Sequence, residues 1–177
     1  MGLFGLGKKK EAEIDMDKCK ASKQRFREIF NEAVEDGDTY QILHAGATES
    51  QFNKGLVLDS RTTTFFNYIV GYRRSDYKVA VVETDKDLTQ YGEPCYITMD
   101  QVMETNYYPK YCQAWFIYKK GIGPYGVKLE VSDTRANSMY MTSNIDQGTE
   151  REQFLDFLEE YTDKLREQGF KIKQWKR

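Results

Sequence analysis

Between Tyr40 and Ser143 the sequence repeats one pattern: a run rich in β-branched and aromatic residues, then turn residues, then another run. The runs are "TYQILHA", "QFNKGLVLD", "TTTFFNYIVGY", "YKVAVVET", "PCYITMDQVMET", "YCQAWFIYKK", "YGVKLEV" and "SMYMTS". Such residues suit a pleated, half-buried surface, and alternation sends one side of each run into a core. In "YKVAVVET", Val79, Val81 and Glu83 share one face while Ala80 and Val82 share the other. Turn signals at intervals of roughly eight to twelve residues predict an antiparallel β-meander over 40–143, folded as a barrel or a sandwich.

A helix pattern flanks the meander on each side. Phe26, Ile29, Phe30, Ala33 and Val34 recur at helical spacing, which predicts a helix over 15–37 with Gly37 as its stop. Thr149 and Glu152 form a T-x-x-E capping box ahead of Phe154, Phe157, Leu158, Tyr161 and Leu165, which share one face. That predicts an amphipathic closing helix over 149–168, with Gly169 as a left-handed cap. "FKIKQW" alternates and predicts an edge strand over 170–175, its lysines toward water. The fold class is therefore α+β: a flexible N-terminal tag over 1–14, then a single domain over 15–177. A chain of 177 residues can bury about two-thirds of its unfolded surface, enough for a core.

"KKGIGPYGVK" holds a literal G-x-G-x-x-G at Gly121, Gly123 and Gly126. A phosphate-binding version must follow a strand and open a helix, because the phosphate sits on the helix N-terminus. Here strand patterns lie on both sides, so the glycines are expected in a turn, with Pro124 at its second position and Gly126 at its end.

Charge and cysteine usage narrow the function classes. A net charge of −2 and a pI near 5.6 argue against a nucleic-acid partner, although the first thirty residues and the end "KIKQWKR" are locally basic. The three cysteines, Cys19, Cys95 and Cys112, show no C-x-x-C spacing, which fits a reducing compartment. No signal-peptide pattern or membrane-length apolar run is present, so the expected location is the cytoplasm.

Catalytic and metal sites find little support, and neither cofactor nor metal is expected. His44 is the only histidine and lies in a strand pattern with no motif around it. Glu83, Asp85 and Asp87 alternate as cation ligands can, but a calcium loop would need Gly where Leu88 stands and Glu where Pro94 stands. Asp146, Glu150 and Glu152 suit the positive end of the closing helix.

Three groups stand out as binding candidates. Arg73, Arg74 and Lys78 crowd one predicted hairpin turn, diluted by Asp76, and arginine forks suit phosphate or carboxylate. Tyr107, Tyr108 and Tyr111, with Trp115, form an aromatic patch for protein contact, although alternation turns about half of such a run into the core. In the tag, Leu3, Phe4 and Leu6 can enter a membrane interface while Lys8, Lys9 and Lys10 meet anionic lipid. Leu6 stands where a myristoylation signal needs Ser or Thr.

The order of elements from about Thr62 to Leu165 resembles a bacterial pleckstrin-homology-like domain. "FFNYIVGYRRSDYKVAVVET" is similar to its first hairpin, "PCYITMDQVMET" to the strand before its central hairpin, and "REQFLDFLEEY" to its closing helix. The resemblance implies a curved antiparallel barrel or sandwich closed by the C-terminal helix, with headgroup contacts at Arg73, Arg74 and Lys78. The fuller phosphoinositide motif is not matched: Thr64, Phe65, Phe66 and Asn67 include no lysine, and Ala80 stands where an arginine belongs. The expected function is a non-catalytic binding or scaffold module of a bacterial-type protein, contacting a protein partner. One alternative is a peripheral module at the inner membrane surface that binds anionic lipid through residues 1–10 and the 73–78 turn. A second is a small enzyme of unknown reaction.

Overall fold

The computed structural model describes residues 14–53, 60–135, 139–142, 144–170 and 172–174. The tag residues Leu3, Phe4, Leu6, Lys8, Lys9 and Lys10 lie outside this range.

Helix α1 runs over Met16–Ala33. Asp15 caps it by accepting from the Lys18 backbone N–H at 3.1 Å, as a short acceptor side chain at an N-cap should. It ends short of the expected Gly37. Val34 is already extended and buries its β-branched side chain, and Gly37–Thr39 forms a separate 3-10 turn.

The strands are β1 (Gln41–Asn53), β2 (Ser60–Arg73), β3 (Lys78–Thr84), β4 (Cys95–Ile97), β5 (Val102–Tyr108), β6 (Gln113–Lys120) and β7 (Gly123–Glu130). Helix α2 (Gly148–Glu167) and strand β10 (Lys173–Gln174) follow, after a small ladder of β8 (Thr134–Arg135) with β9 (Ile145–Asp146). The main sheet has the order β10-β5-β6-β7-β1-β2-β3-β4. All its pairings are antiparallel except β10 on β5, which is parallel. Among the described residues it stays open, with β4 and β10 as its edges, and does not close into a barrel.

Each helix takes one face. Under α2 lie Leu43, Val70, Tyr72, Val79, Val81, Tyr107, Phe116, Tyr118 and Leu129, packed against Phe154, Phe157, Leu158, Tyr161 and Leu165. Under α1 lie Ile42, Ile69, Ala80 and Val82, packed against Phe26, Ile29 and Phe30. The sheet is thus buried on both faces over residues 42–47 of β1, 67–72 of β2 and 79–82 of β3, whereas residues 48–51 and 60–65 of the β1–β2 ribbon are exposed. Among the described residues, the core under α1 contains nothing from β5, β6 or β7. Gly71 makes the α1 contact close: a Cβ there would sit 2.0 Å from Cζ of Phe30.

Several local expectations resolve differently. "TYQILHA" and the start of "QFNKGLVLD" form one strand, because β1 pairs with β2 along its whole length, from Gln41↔Tyr72 to Asn53↔Ser60. "PCYITMDQVMET" breaks into β4 and β5 at a turn closed by Gln101 N–H to Thr98 C=O. Residues 139–142 of "SMYMTS" make no strand; the Asn67 side chain accepts from Thr142 N–H and donates to Tyr140 C=O, replacing a ladder. The glycine stretch is a hairpin, but its turn is Gly121-Ile122, since Lys120 pairs with Gly123. Gly121 has φ +61, as the first central residue of a type II′ hairpin requires. Pro124 sits within β7, where the lack of an N–H is tolerated because β7 meets β1 only at Gly46↔Glu130.

Helix α2 starts one residue before Thr149, with Gln147 as its N-cap and no capping-box bond. Its other end is as expected: Gly169 has φ +90, its N–H reaches Arg166 C=O, and Phe170 N–H reaches Leu165 C=O, the Schellman pattern.

Replacing Gly71 with alanine forces the wholly buried Phe30 ring to move. Overpacking of this kind costs about 2–3 kcal/mol. Urea unfolding of Gly71→Ala is expected to show a lower midpoint at unchanged slope.

Candidate functional site

The 73–78 turn is tied into the fold. Arg73 donates to both oxygens of Asp76, at 2.9 and 2.6 Å, and to Thr39 Oγ1 at 3.0 Å. Its guanidinium lies 4.7 Å from the Tyr40 ring centre. Hydrogen bonding to Asp76 holds it protonated even more firmly than usual. Arg74 pairs with Glu160 and donates to Gln153 C=O, both on α2. Lys78 places its ammonium 4.3 Å from the Tyr96 ring centre. Each cation therefore has a partner within the chain. Sequence proximity brought the three together, while Asp76, Glu160 and the two tyrosine rings arrive from the turn itself, α2, the 3-10 turn region and β4.

The tyrosine patch divides. Tyr107 is 0% exposed and packs beneath α2, its hydroxyl 3.5 Å from Leu155 C=O. This corrects its assignment as a surface contact: β5 alternates, and Tyr107 falls on the α2 side. Tyr108 is half-buried, and Tyr111 is 62% exposed at the turn before β6.

Trp115 points the other way. Across the sheet Asn106, Trp115 and Lys128 are opposite one another, as are Glu104, Ile117 and Gly126. These residues form the face of β5–β7 that α1 does not reach. Trp115 is 46% exposed, and Met103 at the neighbouring β-bulge is 54% exposed. Gly126 accommodates the indole: a Cβ there would lie 3.2 Å from Trp115 Nε1. Ion-paired Lys128 and Glu130 and the Glu104 carboxylate, which accepts from Asn106, supply a polar margin. Sequence reasoning took Trp115 as a minor member of the tyrosine group and missed Ile117, Met103 and the role of Gly126. The available signal was β6 itself, which is apolar on both parities: Ala114, Phe116 and Tyr118 on one, Trp115 and Ile117 on the other.

His44 is fully buried, its ring stacked 5.7 Å from that of Phe26. Nε2 lies 3.3 Å from Asn67 Oδ1, and Nδ1 has no hydrogen-bond partner among the described residues. Burial, with help from the Arg135 cation and against the Asn67 contact, pushes its pKa down to about 3. The acidic turn closes on itself: Asp85 accepts from Thr89 N–H, Gln90 N–H and Thr89 Oγ1. Among the described residues, no group of three or more His, Cys, Asp or Glu side chains is placed to hold a metal ion. A cleft of about 310 Å³ lies between α1 and the start of α2, lined in part by Lys23, Arg27, Ile42 and Gln147. No described helix is long and apolar enough to cross a membrane.

Comparison with family models, with curated proteins and with solved structures produced no match for this chain.

The buried imidazole makes stability pH-dependent. The unfolded chain takes up a proton on His44 near the ordinary value of 6.5, while the folded chain resists until about 3. Stability from neutral His44 is thus present above the unfolded pKa and lost as pH falls from there toward 3. Between pH 7 and pH 5 this amounts to about 2 kcal/mol. Urea midpoints of wild type and His44→Leu, measured at both pH values, should show the larger fall in wild type.

Proposed function

We propose that the protein is a non-catalytic binding module that docks a protein partner on the uncovered face of β5–β7, with Trp115 as the central anchor. One observation carries this reading. Helices cover both faces of the sheet over residues 42–47, 67–72 and 79–82 but one face over β5–β7, and the bare half carries a half-exposed tryptophan beside Ile117, with Met103 exposed at the β5 bulge. Tryptophan is enriched among the residues that dominate interface energy, since its large ring gains much from desolvation. Glu104, Lys128 and Glu130 give the patch the polar rim that interfaces have. The reading keeps the binding or scaffold role expected of a bacterial-type cytoplasmic protein. It moves the contact from Tyr107 to the opposite side of the same strands.

The test is cross-linking in the native cell. A photo-reactive residue in place of Lys128 should trap a partner protein. Adding Trp115→Ser should lower the trapped fraction by about tenfold or more, the scale of a hot-spot loss. Adding Met16→Ser, on an exposed residue at the start of α1, should leave it unchanged. Equal trapping with and without Trp115 would refute the assignment.

A further inference from the structure

Strands β6 and β7 end in a tip that stands clear of the body. Ile122 is 107% exposed, more than any other large hydrophobic residue described. A Cβ built on Gly121 or Gly123 would meet nothing within 4 Å. The fold therefore gains nothing from this isoleucine, whose whole apolar surface is left to water. Lys119 and Lys120 stand exposed immediately behind it. Tyr125, 53% exposed, lies beside them with its ring centre 5.8 Å from the Lys120 ammonium.

The charge of this hairpin differs from that of the chain. From Thr105 to Leu129 the only charged residues are Lys110, Lys119, Lys120 and Lys128, whereas the whole protein carries −2. Lys128 is neutralised by Glu130 at the far end of β7. No acid is paired with Lys119 or Lys120 among the described residues. The Lys119 backbone N–H is accepted by Gln101 C=O, at the turn before β5.

We infer that the β6–β7 tip is a membrane contact for an anionic bilayer. Ile122 enters the acyl boundary, Lys119 and Lys120 meet headgroup phosphates, and Tyr125 sits at headgroup level, where amphipathic rings are favoured. An apolar tip backed by cations matches the order of layers met on approaching such a surface: charge first, then hydrocarbon. A polyanion such as RNA would use the lysines and have no use for the isoleucine. This contact goes beyond the protein-docking face and does not depend on it. It also differs from contacts through residues 1–10, or through the 73–78 turn, whose cations are already engaged.

The experiment is flotation of the full-length protein on phosphatidylcholine vesicles with and without about 30% phosphatidylserine, at low and high salt. Wild type should float with the anionic vesicles at low salt and be released at high salt. Ile122→Ser should lower the partition coefficient about tenfold, the scale of one buried aliphatic side chain. Lys119→Gln/Lys120→Gln should lower it by about tenfold or more. Arg73→Ser/Arg74→Ser and a version lacking residues 1–10 should still show the Ile122 dependence. Because Ile122 touches nothing, its variant should melt as wild type does. The proposal is overturned by any of three results: no preference for anionic vesicles, binding indifferent to Ile122, or RNA binding that needs the lysines while the vesicles are ignored.

Discussion

Strand β1 is held on its open side by a side chain where a neighbouring strand would normally be. β7 meets β1 only at Gly46↔Glu130. At His44 the Gln147 amide takes over: its Oε1 accepts from His44 N–H, and its Nε2 donates to His44 C=O, both at 2.9 Å. The same Nε2 reaches Ser132 C=O at 2.8 Å. Unpaired buried peptide groups are costly, so this one amide satisfies a need the sheet cannot. Gln147 is also the N-cap of α2, so the bond fixes where α2 begins relative to the middle of the sheet. Arg27 of α1 holds the turn just before β1, donating to Gly37 C=O and Tyr40 C=O. α2 is thus tied to β1 itself and α1 to the turn that leads into it, and residues 42–47, 67–72 and 79–82 are enclosed between the two helices.

The enclosure decides what remains outside. α1 packs over β1–β3, and its core takes in no described residue of β5–β7. The residues there that would have suited a second core, Trp115 and Ile117, are left facing outward around Gly126. The candidate cations of the 73–78 turn are used the other way, as internal ties. Arg73 joins the turn to Thr39, and Arg74 joins it to α2. Exposed surface ion pairs contribute little to stability, and here their evident effect is to place the turn under α2, where Tyr77 packs on Phe157. The binding surface and the membrane tip both involve the β6–β7 hairpin, on the opposite side of β1 from β2 and β3.

Local pattern made much of the fold readable. Phe26, Ile29 and Phe30 announced α1, Phe154 to Leu165 announced α2, and Gly169 marked where α2 stops, because each signal lies within a few residues of its effect. The misread points share a different cause: distant partners decide them. β1 runs unbroken through Gly46 because β2 pairs with it throughout. No sequence signal marks Gln147, because its use depends on His44, far away in sequence. Residues 139–142 read as a strand but bond to the Asn67 side chain. The same holds for the site. Tyr107 and Trp115 belong to neighbouring strands of one aromatic cluster, and only the layering of helices on the sheet tells which of them is exposed.

The central claim is that the sheet is bare on one face over β5–β7 and covered on both over residues 42–47, 67–72 and 79–82 of β1–β3. Solvent paramagnetic relaxation by NMR, on the free protein at a concentration where it sediments as a monomer, tests this directly. The account predicts strong relaxation of the Trp115 indole and the Ile117 and Met103 methyls, with Ile69 and Val82 protected. Protection of Trp115 and Ile117 equal to that of Ile69 would mean that something already covers the face, and would contradict the account.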